Sequence, residues 1–173
     1  MLIIQLCFFD ACISIILEQK FTMRIVSFIV FCMFINVSIA QNTAESEVKN
    51  TIIKFFDAFH KQDSVAINAL VSKDIILQSI GKNKEGVVQL KKEEFNAFLK
   101  SIVSIPKDQK FEEKLLDFKI RVDGNMANAW TPYEFWFNGK FSHCGVNSFQ
   151  LVKLDNAWKI IYLIDTRRKE GCN

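Results

Sequence analysis

The chain has 173 residues, half of them apolar, with 22 Lys and Arg against 19 Asp and Glu for a net charge of +3. So mild a balance excludes a strongly basic nucleic-acid-binding face, and the triplet Arg167-Arg168-Lys169 reads as a solvated strand end. Neither GxGxxG nor a GxxxxGK-Ser/Thr run occurs, which removes the usual nucleotide fingerprints.

In chain order, residues 1–22 are apolar but interrupted by Asp10, and are too short to span a bilayer well. They read as an extension ahead of a true start at Met23; the alternative is a membrane hairpin or an uncleaved anchor. Residues 23–40 have the form of a signal peptide. Met23-Arg24 opens a short basic region, Ile25 to Ile35 is apolar, and Ser38-Ile39-Ala40 fits the small-x-small cleavage pattern. The residues before Cys32 lack a lipobox, so the expected product is a soluble exported protein, periplasmic or secreted. It would start at Gln41 and touch a membrane only through its signal peptide. Residues 41–173 then form a single domain, with no linker or low-complexity tract to divide it.

Within that domain Val48, Ile52, Phe55, Phe56 and Phe59 recur at helical spacing and predict a helix from Ala44 to His60 with one buried face. His60 closes it, where a cation meets the C-terminal dipole. Asp63 or Ser64 caps a short second helix, Val65 to Leu70. Asp74 to Ile80 reads as a strand and Gly86 to Leu90 as a short partner. A third helix follows over Lys92 to Val103, and Pro106 closes it. From Phe111 to Cys172 the pattern is four long strands, divided by turns at Asp123-Gly124-Asn125, Asn138-Gly139 and Asp155-Asn156. The fold class is α+β: a curved, mostly antiparallel sheet wrapped over helices, an architecture that makes a pocket.

Two-residue turns at Asn138-Gly139 and Asp155-Asn156 set a register. They place Glu134 across from His143, Asn147 across from Ile164, and Phe149 across from Tyr162. One face then gathers Trp130, Glu134, His143, Asn147, Phe149 and Tyr162, a mixture of apolar wall and converging polar groups that suits a small-molecule site. The opposite face takes Tyr133, Phe135, Cys144, Asp165 and Arg167. A bulge is expected between Arg121 and Glu134, because Phe118, Ile120 and Val122 otherwise fall with the second set.

The order helix–helix–strand–helix–meander, with FFDAFHKQDSVAINAL in the first helical pair, resembles the nuclear transport factor 2-like superfamily, whose cone-shaped fold includes the SnoaL-like cyclases and isomerases. The tail PYEFWFNGKFSHCGVNSFQLVKLDNAWKIIYLIDTRRKEGC resembles more narrowly the exported bacterial proteins grouped as lumazine-binding. The resemblance spans residues 44–172; it implies the fold, and leaves open enzymes, binding modules and dimerisation domains. It also implies a pocket lined from the last strand, with Tyr162 and Phe149 inside.

Three functions follow. The first is binding of an apolar or aromatic small molecule by a homodimer, with Tyr162, Asn147, Trp130 and Phe149 at the ligand. The second is a lyase or isomerase in which His143 is the general base and Glu134 orients it. The third is a non-catalytic dimerisation scaffold. His60 and His143 carry no Cys/His spacing for zinc, so neither a metal nor another cofactor is expected. Cys144 and Cys172 are the cysteines left after cleavage. An exported chain admits a disulfide between them, while spacing alone leaves free thiols open.

Overall fold

The computed structural model describes residues 43–172, and those from Ala44 onward belong to one compact unit. The expected extension (residues 1–22) and the expected signal peptide (residues 23–40) lie outside the described residues.

Helix α1 covers residues 43–60. Its stripe of Val48, Ile52, Phe55 and Phe56 is almost wholly buried, at 0 to 5% exposure, so the helical period puts every one of these side chains against the sheet. Helix α2, Ser64–Leu70, starts at Asp63, whose carboxylate accepts the backbone N–H of Ala66 at 2.9 Å and so satisfies a first-turn donor. Strand β1 is Val71–Lys82 and pairs antiparallel with β2, Val88–Glu93. Helix α3 is Phe95–Val103.

The remaining strands are β3 (Phe111–Leu115), β4 (Lys119–Asp123), β5 (Met126–Phe137), β6 (Lys140–Leu154) and β7 (Ala157–Thr166). The expected first meander strand is therefore two short ones. β3 pairs with the second half of β5 and β4 with its first half. The sheet order is β2-β1-β7-β6-β5-β3, with β4 beside β3 on β5, and β1 runs parallel to β7.

All three turns fall where turn chemistry places them. Asn138, Gly139, Asp155 and Asn156 take the positive φ that two-residue hairpins require, as does Gly124. The register beyond the tips departs from expectation. Phe137 pairs with Lys140 and Trp136 with Phe141, but Phe135 then pairs with His143, leaving Ser142 as an extra residue. On the next hairpin Leu151 pairs with Ile160 and Gln150 with Tyr162, so Ile161 is extra. The expected bulge between Arg121 and Glu134 is absent, since β5 pairs with β6 without a shift from Met126 to Phe135; a one-residue offset lies instead between β3 and β4, where Leu115 pairs with Tyr133 but Lys119 with Trp130.

Each bulge moves every later side chain of its strand to the opposite face and sharpens the local twist. Both lie on β6 and β7, the strands that bend around α1. The concave face consequently combines members of both expected sets: Ala129, Thr131 and Tyr133 from β5, Asn147, Phe149 and Leu151 from β6, and Ile160 and Asp165 from β7, all buried. Phe149 meets Phe55 and Phe56 edge-on at centroid distances of 6.5 and 6.2 Å, joining sheet to helix.

After β7 the chain turns back on β6. Cys144 and Arg168 exchange two backbone hydrogen bonds of 2.9 Å, and Cys144 and Cys172 are joined as a disulfide with Cα atoms 5.8 Å apart.

Candidate functional site

Between α1, α3 and the concave face lies a cavity of about 320 Å³. Its helix side is mostly apolar, formed by Phe55, Phe56 and Phe59 of α1, Phe98 and Ile102 of α3 and Ile105 just beyond, with Ser101 at its border. Phe59 and Phe98 lie parallel with ring centroids 6.2 Å apart, which holds α1 to α3 across the cavity's edge. The sheet side supplies Leu77, Leu163, Tyr133 and Phe135 together with Glu113, His143, Asn147, Asp165 and Arg167.

The polar groups form two linked sets. In one, Asn147 Nδ2 donates to Glu113 Oε1 at 2.7 Å. Burial drives the Glu113 carboxyl up to about 8, more than the Asn147 hydrogen bond can offset; Asp165 adds to the rise and Arg167 opposes it. The carboxyl is therefore largely protonated at neutral pH. The backbone N–H of Glu113 donates to Nε2 of His60 at 2.9 Å, which requires a neutral His60 ring. Burial lowers the His60 pKa in the same sense, against the nearby Glu112 and Asp57 carboxylates.

In the second set, Asp165 Oδ2 accepts from Tyr133 Oη at 2.9 Å and from Arg167 Nε at 2.9 Å. The Tyr133 hydroxyl also lies 3.0 Å from the Thr166 carbonyl oxygen. Its pKa is raised, by burial first and then by the Asp165 and Glu113 carboxylates, so it stays a donor. The Asp165–Arg167 pair is compensated within itself. His143 stacks on Phe135 at 5.0 Å and meets Tyr133 edge-on at 5.9 Å, with Nδ1 3.1 Å from Ser142 Oγ. Burial lowers its pKa, Arg167 lowers it further and Asp165 opposes them, leaving the ring mainly neutral at neutral pH.

Of the residues expected at the site, His143 and Asn147 line the cavity. Phe149 is fully buried in the core behind it, against Phe55 and Phe56. Trp130, Glu134 and Tyr162 are on the outer face, because the Ser142 and Ile161 bulges reverse the strands on which the expected faces were matched. Glu134 pairs with Cys144, accepts from Trp136 Nε1 at 3.0 Å, and has the sheet between itself and His143. The Tyr162 hydroxyl donates to Gln78 of β1. The expected Glu134–His143 couple does not exist.

Sequence reasoning missed Glu113 and Tyr133. A signal for Glu113 was present: in Phe111-Glu-Glu-Lys-Leu115 the alternation puts Glu113 on the same face as two apolar residues. His60, read as a helix stop, instead fixes α1 to β3. Among the described residues, no group of three or more His, Cys, Asp or Glu is placed to hold a metal ion.

This arrangement, a bent sheet closing over three helices around an internal cavity, is the nuclear transport factor 2-like fold. The chain is similar to a nuclear transport factor 2-like superfamily protein from Salmonella enterica serovar Typhimurium, with 18% identity over 76% of this chain and 95% of that one, at a TM-score of 0.57. It is similar to a nuclear transport factor 2-like protein of unknown function from Shewanella baltica, with 13% identity over 74% and 96% of the two chains and a TM-score of 0.53. A third similar structure, from Streptomyces avermitilis, is named as a candidate dehydratase of the same family; identity is 13% over 73% and 97%, with a TM-score of 0.57. At these identities the likeness establishes the fold alone. No protein-family model matches the chain, and neither does any curated protein.

Proposed function

We propose that the protein is an exported small-molecule-binding domain that holds an aromatic or apolar ligand in the cavity under α1 and α3. The observation that carries this reading is the cavity's division of labour. Phenylalanine and aliphatic walls face a short sheet-side patch where Glu113, Asn147, Tyr133 and His143 converge. A volume of about 320 Å³ is at the compact end of the range for small-molecule sites. Apolar walls supply most of the binding free energy, and a few fixed polar groups select orientation. Export is supported by the Cys144–Cys172 disulfide, a bond that persists in oxidising compartments. Pairing into a homodimer through the outer sheet face is supported by Trp130, a large aromatic side chain that is 50% exposed there.

A melting screen of the purified chain against compact heteroaromatic and hydrophobic compounds tests the reading. Ligands that bind the folded state raise the melting temperature with concentration. A library in which no compound does so contradicts it.

A further inference from the structure

The cavity lining carries more acid than base. Glu113, Asp165 and the exposed Glu93 face it, against one permanent cation, Arg167. Asp165 is already committed to Arg167 Nε and the Tyr133 hydroxyl, so its charge is met within the protein. Glu113 differs. It is in none of the ion pairs of the described residues, and its carboxyl takes one hydrogen bond, from the neutral Asn147 amide. Glu113 is half-buried in the cavity wall, where a carboxylate without a paired cation is costly, and the cost is relieved by protonation or by an arriving positive charge. The same cavity is lined by the rings of Phe59, Phe98, Phe135 and Tyr133, and an aromatic face attracts a cation within roughly 6 Å of its centroid.

We propose that the ligand is a protonated amine on an aromatic or apolar body, with the Glu113 carboxylate as its counter-ion. This deepens the small-molecule reading above and rests on it. The amine enters as an ammonium ion, the Glu113 proton leaves to solvent, and the N–H donors of the ammonium fill the acceptor positions on Glu113 that Asn147 leaves open. The charged and titratable groups facing Glu113 are Asp165 and Arg167 from the end of β7, Tyr133 from β5, His143 from β6, His60 from α1 and Glu93 from β2. His60 and His143 are held neutral and Arg167 is paired, so Glu113 is the group that answers the ammonium.

The test is calorimetry on the purified chain with phenethylamine, phenethyl alcohol and phenylacetate, in buffers of different ionisation enthalpy. Phenethylamine is expected to bind at least about ten-fold more tightly than the alcohol or the acid, with about one proton released at neutral pH. Its affinity should rise as the pH rises toward 8, where Glu113 ionises unaided. Glu113→Gln, close in shape, should erase both the preference and the proton release. Equal affinity for amine and alcohol, or amine binding without proton release in the native chain, overturns the inference; the second measurement needs no variant. Binding of the alcohol alone refutes the cation and leaves the pocket reading standing. Binding of none of the three refutes this inference, while the pocket reading falls only if the wider screen is also empty.

Discussion

Gly145 lies directly across from Tyr133 in the β5–β6 pair, and the absence of its side chain is what lets the Tyr133 ring and the end of β7 close over β6. A Cβ at position 145 would stand 1.7 Å from the Thr166 carbonyl oxygen and 2.8 Å from a Tyr133 ring carbon. The first of those neighbours is backbone and cannot swing aside. Tyr133, Asp165 and Arg167 keep their hydrogen bonds only while this close approach holds. Gly145→Ala should therefore cost about 3 kcal/mol of stability, an overpacking penalty at the upper end of the usual range. Chemical denaturation measures it, and a loss below the scatter between preparations would show that β7 can shift without cost.

The tail is tied down at one point. Cys144 and Cys172 close a loop of sequence separation 28, for which the chain-entropy model gives about 3 to 4 kcal/mol. Cys172→Ser should lower denaturant stability by roughly that amount. The fold itself should persist, since the β6–β7 ladder and its core contacts remain. Mass analysis after thiol alkylation, without reductant, should find Cys144 and Cys172 both unmodified.

Glu113 and His60 give stability a window in pH. The folded pKa of Glu113 is raised to about 8 from 4.5, so the folded state holds a proton that the unfolded state releases between those values. Stability from this group is complete below 4.5 and is lost as pH rises through about 8. His60 is shifted the other way. Its folded pKa is below 6.5, so its contribution is present above 6.5 and is lost as pH falls, when protonation removes the acceptor for the Glu113 N–H. Glu113→Gln should flatten the alkaline limb and His60→Ala the acid limb. The histidine change should cost about 1 to 3 kcal/mol at neutral pH for the orphaned N–H. Denaturation series at several pH values check both limbs.

The outer face carries the dimer proposal. Trp130, half exposed opposite Lys119 and Ser148, should become a barrier when charged. Trp130→Lys is expected to weaken self-association by at least about ten-fold with little effect on melting, as loss of a buried aromatic anchor does at interfaces. Sedimentation equilibrium reads it directly, and a native chain that is monomeric at every concentration removes the proposal.

Much of this fold is written locally. The α1 stripe, the Asp63 cap and three turn sequences each depend on neighbours within one or two turns of chain, and each lies where propensity and periodicity put it. The face of a side chain in β6 or β7 is a different matter. Turn chemistry sets the register at the hairpin tip, but the extra residues Ser142 and Ile161 answer a demand for curvature that arises from packing over α1, far away in sequence. For that reason Tyr162, Trp130 and Glu134 were expected inside and are outside, while His143 and Asn147 are inside. Glu113 has its own local signal in the Phe111–Leu115 alternation, although a carboxylate there, taken alone, favours solvent.

The central claim is that the cavity between α1, α3 and the sheet is a binding site. Ser101 is exposed on α3 and borders that cavity, so Ser101→Trp should obstruct it with little disturbance of the core. The decisive measurement is the melting shift produced by the strongest screening compound on the native chain and on this variant. The account predicts a concentration-dependent rise for the native chain that is lost in Ser101→Trp, with the two unliganded melting temperatures alike. An equal rise in both proteins would place the ligand elsewhere and contradict it.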